Sequence, residues 1–141
     1  MVCLEIKNKV LAIAPDVFKN SPVLFAYLYG SVAVDQAHLF SDLDIAIFIA
    51  SDMSVKDKLS LEMSLSLEID KYIENGPPSD VRIINCLPLV VVGQIVTDGI
   101  LIYCRDDDTR IDYETFIRSA YFDFFPVIRS FQKEYLEHMT D

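Results

Sequence analysis

The stretch that decides the fold is Val23-Leu24-Phe25-Ala26-Tyr27-Leu28-Tyr29-Gly30-Ser31, followed after ten intervening residues by Asp42-Leu43-Asp44-Ile45-Ala46-Ile47-Phe48-Ile49-Ala50. Val23 to Tyr29 is a β-branched and aromatic run halted by Gly30-Ser31, the pattern of a buried strand that ends in a tight turn. Leu43 to Ala50 is apolar at odd and even positions alike, so it reads as a central strand covered on both faces. Asp42 and Asp44 stand at the mouth of that strand.

Side chains alternate across a strand, so Asp42 and Asp44 project from the same face, spaced to grip a shared cation. Mg²⁺ prefers oxygen ligands and is usually held by one or two carboxylates together with substrate phosphates. Gly30 lets the backbone turn sharply and approach a ligand, while Ser31 can cap the next helix and leave its first N–H groups aimed at phosphate oxygens. A Gly-Ser turn alone is mostly just a turn, and an Asp pair at a strand end is usually solvated. The fixed spacing is what informs, since average residue usage produces it by chance in roughly one chain in a few hundred.

Outward from this centre, helices and strands alternate. Ile6, Val10, Ile13 and Val17 fall at helical spacing, with Pro15 expected to distort or end that helix. Ser54 to Glu74 reads as a helix with Asp57, Ser60, Ser64, Glu68 and Lys71 on a polar stripe, ended by Asn75-Gly76-Pro77-Pro78. Asp80 to Asn85 is a third strand. Pro88 opens a short apolar helix to about Val96, and Thr97-Asp98-Gly99 turns the chain into Ile100 to Tyr103. Asp106 to Asp108 suit a helix N-terminus. From there Ile117, Ala120, Tyr121, Phe124, Ile128, Phe131 and Tyr135 recur every three or four residues, predicting a long last helix kinked at Pro126.

The chain has 141 residues, 52% of them hydrophobic, which is the size and composition of one compact domain spanning residues 1–141. Its formal charge is -10 with no extended basic run, so DNA and RNA are not expected as direct partners. Cys3, Cys86 and Cys104 are odd in number and lack metal-ligand spacing, which suits free buried thiols in a reducing, cytoplasmic setting. No membrane association is expected: Leu87 to Val96 is about half the roughly twenty apolar residues that a bilayer requires. Met1 to Lys9 lacks the apolar follow-on of a signal peptide.

With Gly30-Ser31 and Asp42-Leu43-Asp44 at this distance, the sequence resembles the polymerase-β-like nucleotidyltransferases. Within that superfamily it is similar to the minimal nucleotidyltransferases, the MNT partners of HEPN proteins in toxin–antitoxin pairs. The likeness extends over the short chain as a whole, including the third strand with an Asp, Thr97-Asp98-Gly99 and Tyr121-Phe122-Asp123-Phe124-Phe125-Pro126.

The resemblance implies an α/β (α+β) fold, a small mixed sheet flanked by helices with a long C-terminal helix. It implies a third carboxylate, which matches Asp80 in Ser79-Asp80-Val81-Arg82, and Asp80 also opens a strand able to lie beside the Asp42-Asp44 strand. Asp42, Asp44 and Asp80 are thus the expected metal-binding and catalytic residues, holding two Mg²⁺ ions, and Gly30 and Ser31 the expected nucleotide-binding ones. Two metals neutralise the charge that develops on attacking and leaving oxygens in phosphoryl-group transfer. Asp80 would also help deprotonate the acceptor hydroxyl.

The implied activity is an antitoxin's: AMP moves from ATP to a hydroxyl, a tyrosine's by expectation, of a HEPN ribonuclease toxin held in a hetero-oligomer. Two alternatives stand beside it. One is an antitoxin acting mainly by occluding the HEPN partner, the other a small-molecule nucleotidyltransferase of the aminoglycoside-modifying kind, for whose additional substrate region this chain has little room. Asp70, Asp98 and Asp106 to Asp108 are expected as helix-face, turn and cap residues, His38 as a solvated loop histidine, and His138 without a role. The aromatic cluster from Tyr113 to Tyr135 is expected to be core more than interface.

Overall fold

The computed structural model describes residues 3–34 and 42–140; residues 35–41, His38 and Ser41 among them, lie outside the described residues. In chain order the elements are α1 (Cys3–Phe18), β1 (Val23–Tyr29), α2 (Gly30–Ala33), β2 (Leu43–Ile49), α3 (Val55–Tyr72), β3 (Ser79–Ile83), α4 (Leu89–Asp98), β4 (Ile100–Cys104) and α5 (Asp107–Thr140). The four strands form one mixed sheet in the order β3-β2-β1-β4. β1 pairs antiparallel with β2 and β4, whereas β2 and β3 run parallel with α3 as the crossover.

The two-sided apolar pattern of β2 is realised as read. Leu43, Ile45, Ile47 and Ile49 pack with α1 and α3, against Val10, Ala14, Leu65 and Ile69. Ala46 and Phe48 turn to the opposite face, where Phe25, Tyr27 and Ile84 meet Val92, Ile95 and Val96 of α4 and Ile117 of α5. Asp42 and Asp44 share the parity of Ala46 and Phe48, so both belong to the α4/α5 face at the end where the strand begins.

β3 is an edge strand, and α3 covers its outer rim with polar side chains one turn apart. The Ser79 N–H donates to Asp70 Oδ1 at 2.9 Å and the Ile83 N–H to Glu62 Oε2 at 2.9 Å, while the Ser66 hydroxyl lies 2.8 Å from that of Ser79. Edge N–H groups satisfied in this way cannot recruit another strand. Asp70 therefore has the structural place expected of a helix-face acid.

Several local expectations are corrected. α1 runs through Pro15 to Phe18, because proline near a helix end forfeits one bond while its carbonyl still accepts from the Lys19 N–H at 3.1 Å. Thr97 and Asp98 are the last residues of α4 and not a turn; the reversal begins at Gly99. Cys86 is exposed, and Cys104 is half-buried at the margin of the core on the α4/α5 face. The long last helix is found as expected, α5 running through Pro126 over 34 residues. Its first half packs on the sheet through Tyr113 and Ile117, but Phe122 and Phe131 are 73% and 68% exposed, so the aromatic run is only partly core.

Candidate active site

The site starts where β1 stops. Gly30 has φ of +76°, a left-handed conformation that side chains resist, and a Cβ placed there would collide with the carboxylate of Asp44. The glycine thus serves two purposes at one atom, a reversal of the chain and room for a carboxylate. α2 follows at once, with Tyr29 in the cap position and no side-chain cap bond; Ser31 lies inside the first turn, half-buried, and does not cap the helix.

Sheet register then assembles the acids. Tyr29 pairs with Asp44 across β1 and β2, and Asp44 pairs with Asp80 across β2 and β3, so the three side chains stand abreast on one face. Asp42 is exposed, one residue before the strand. The Asp44 carboxyl is held above the usual carboxylate range, first by burial and then by the charges of Asp80 and Asp42, with Arg82 opposing. The Tyr29 hydroxyl is raised as well, first by burial and then by Asp44, with Arg82 opposing and Asp80 adding to the rise. Arg82, two residues along β3, reaches to 3.7 Å from Asp80 Oδ2, a half-exposed pair of small energetic weight.

Among the described residues no three His, Cys, Asp or Glu side chains already converge as a set of metal ligands. The acids nonetheless feel one another's charge at Asp44, which places them in one neighbourhood without closing a cage. An all-oxygen donor set with this excess of negative charge fits a hard divalent cation such as Mg²⁺.

On the other side of Gly30 opens a cleft of about 510 Å³, lined by Tyr29, Gly30, Ser31 and Val34 on one wall and by Val90, Val91, Gln94, Ile95 and Asp98 of α4 on the other. That volume lies within the range of small-molecule sites, about 300–1,000 Å³. α4 faces it because Val92, Gly93, Ile95 and Val96 take the buried side of the helix.

Residues 13–108 match the family described as polymerase beta nucleotidyltransferase, a span that contains every residue named in this site. The chain belongs to the polymerase beta nucleotidyltransferase family. No curated protein sequence matches it significantly. Among solved structures, a chain of a toxin–antitoxin crystallised with AMP-PNP is 18% identical over 96% of this chain and 98% of its own, with a TM-score of 0.61. A chain of the complex between a tri-AMPylated Shewanella oneidensis HEPN toxin and its MNT antitoxin is 16% identical over 99% of both, with a TM-score of 0.56. At such identities the likeness is one of fold, and it extends into α5, of which the family match covers only the first two residues.

For a nucleotidyltransferase the layout has a clear division. Gly30-Ser31 sits between a carboxylate cluster on the β2/β3 side and the cleft on the α4 side. Gly30, Ser31, Asp42, Asp44 and Asp80, all expected from the sequence, come to one end of one sheet face. Tyr29, Arg82, Gln94 and Asp98 were not anticipated there, and only Gln94, a polar residue inside the apolar run Leu89 to Val96, carried a local signal.

Proposed function

We propose that the protein is a nucleotidyltransferase antitoxin that transfers AMP from ATP to a hydroxyl, a tyrosine's, on a HEPN-type ribonuclease toxin, which the modification silences. The observation that carries this reading is the apposition of Gly30, Asp44 and Asp80: a backbone opened for a ligand directly against two register-paired carboxylates. The solved complexes of similar fold, one with AMP-PNP and one with a tri-AMPylated HEPN toxin, support the choice of nucleotide and partner.

In this scheme the backbone at Gly30 and Ser31 seats the triphosphate tail. Asp42, Asp44 and Asp80 would hold the Mg²⁺ ions. The bound ions would neutralise charge on the attacking and leaving oxygens. The acceptor oxygen forms a bond to the α-phosphorus, the bond from that phosphorus to the β-phosphate bridge breaks, and pyrophosphate departs. Asp80, half-exposed at the sheet edge, takes the hydroxyl proton. A protein acceptor suits the exposed phenylalanines of α5, which offer an apolar surface to a macromolecule in a hetero-oligomer. The same surface favours the second reading, in which the antitoxin silences its partner by occlusion alone.

Intact mass spectrometry distinguishes the two. The protein is mixed with a HEPN-type partner, ATP and Mg²⁺, and the expected product is the partner heavier by one or more AMP units, with no gain in the Asp42→Asn variant. A stable, silenced complex of unmodified masses would refute transfer and leave occlusion.

A further inference from the structure

The cleft wall supplied by α4 has a composition that the catalytic carboxylates do not explain. Val90 and Val91 are 46% and 38% exposed there, an apolar step without cover. Beside them Gln94 Nε2 donates to Asp98 Oδ2 at 3.1 Å, one turn along the same helix. Asp98 is the last residue of α4, where the helix dipole disfavours an anion, and among the described residues it has no ion-pair partner. A carboxylate kept at an unfavourable helix end, oriented by an amide and facing a cleft, is arranged for a ligand that donates hydrogen bonds.

The cleft fixes where that ligand lies. Gly30 and Asp98 line the same cleft, and the Asp44 carboxylate stands directly against Gly30. The cleft thus has Asp44 behind Gly30 at one wall and Asp98 of α4 on the other. Without an ion-pair partner among the described residues, the Asp98 carboxylate repels phosphates, whereas the three-acid side can bind them through a divalent cation. A nucleotide threaded past Gly30 is therefore oriented with phosphates toward Asp44 and the nucleoside toward α4.

We propose that Asp98, oriented by Gln94, accepts hydrogen bonds from the ribose hydroxyls of the nucleoside triphosphate while Val34, Val90 and Val91 contact the base. This selects ribonucleotides over deoxyribonucleotides, because a carboxylate accepts and never donates, and a vicinal diol offers it two donors. The inference rests on the nucleotide reading of the cleft.

Calorimetric titration of the full chain with MgATP, Mg-2′-deoxy-ATP and Mg-3′-deoxy-ATP, without any acceptor, tests it. The wild type is expected to bind ATP roughly tenfold more tightly than at least one deoxy analogue. Asp98→Ala is expected to weaken ATP to the deoxy level and leave the deoxy analogue unchanged, with Gln94→Ala intermediate. Both positions are exposed, and circular dichroism melts verify that the variants fold. ATP binding without ribose discrimination, or discrimination that survives Asp98→Ala, overturns this inference alone. Failure of the wild type to bind any of the three overturns the nucleotide reading itself. Discrimination without AMP transfer to a partner upholds the ribose contact and removes catalysis.

Discussion

A single methyl group at position 30 would test the local design most directly. Gly30→Ala adds a Cβ where the Asp44 carboxylate lies and demands a left-handed φ of a residue that resists it. The variant is expected to lose about 1–3 kcal/mol in urea unfolding and to lose AMP transfer altogether, because relief of the clash moves Asp44. Wild-type transfer rates in the folded variant would refute the coupling. The signal for Gly30 was present in the sequence, since a strand halted by Gly-Ser before Asp-x-Asp states its own geometry. Tyr29 and Arg82 gave no such signal. Arg82 acts on Asp44, and Asp44 on Tyr29, as neighbours across strands, and nothing in the local order of residues records who those neighbours are.

At the scale of elements, two contacts set how the helices frame the cleft. Gly93 is buried where α4 crosses α5, and a Cβ there would run into the ring of Tyr121. Gly93→Ala is expected to cost about 1–3 kcal/mol by overpacking and to shift α4, with weaker ATP binding as the calorimetric readout; unchanged stability would mean that the helices slide freely. α5 starts with a cap, the Thr109 N–H donating to Asp106 Oδ1 at 3.1 Å and its hydroxyl to Oδ2 at 2.8 Å. The backbone bond, then the hydroxyl, holds the Asp106 carboxyl below its usual range. A depressed folded value means that this stabilisation is complete above the ordinary aspartate pKa and is lost as pH falls through the folded one. Asp106→Ala is therefore expected to lower the thermal midpoint at neutral pH by roughly 2–6 °C and to reduce the further loss in acid. Equal drops for variant and wild type between neutral and acid pH would count against the cap. The cap was legible from Asp106 to Asp108, and so was the length of α5. That its second half leaves the sheet was not, because a periodic apolar face looks the same whether it meets a core or solvent.

The whole molecule carries a formal charge of -10 and gathers three of its acids at one sheet end. Without a cation these repel, so Asp44→Asn is expected to raise the melting midpoint of the metal-free protein by a few degrees, roughly, while abolishing transfer. Millimolar Mg²⁺ is expected to stabilise the wild type by roughly 2–5 °C and to do little for the variant, as differential scanning fluorimetry would read. Stabilisation of both alike would place the ion elsewhere. The sequence by itself determined the strands, the helices and the Gly30-Ser31 to Asp42-Leu43-Asp44 unit, because turn chemistry, alternation and helical period are properties of neighbours along the chain. It also offered Asp80 as a strand-opening acid. Only the tertiary structure decided that Asp80 lies level with Asp44 and that Asp98 lines the same cleft as Gly30. The first depends on strand order and register and the second on how α4 packs on the sheet, and neither is written in a local stretch of residues.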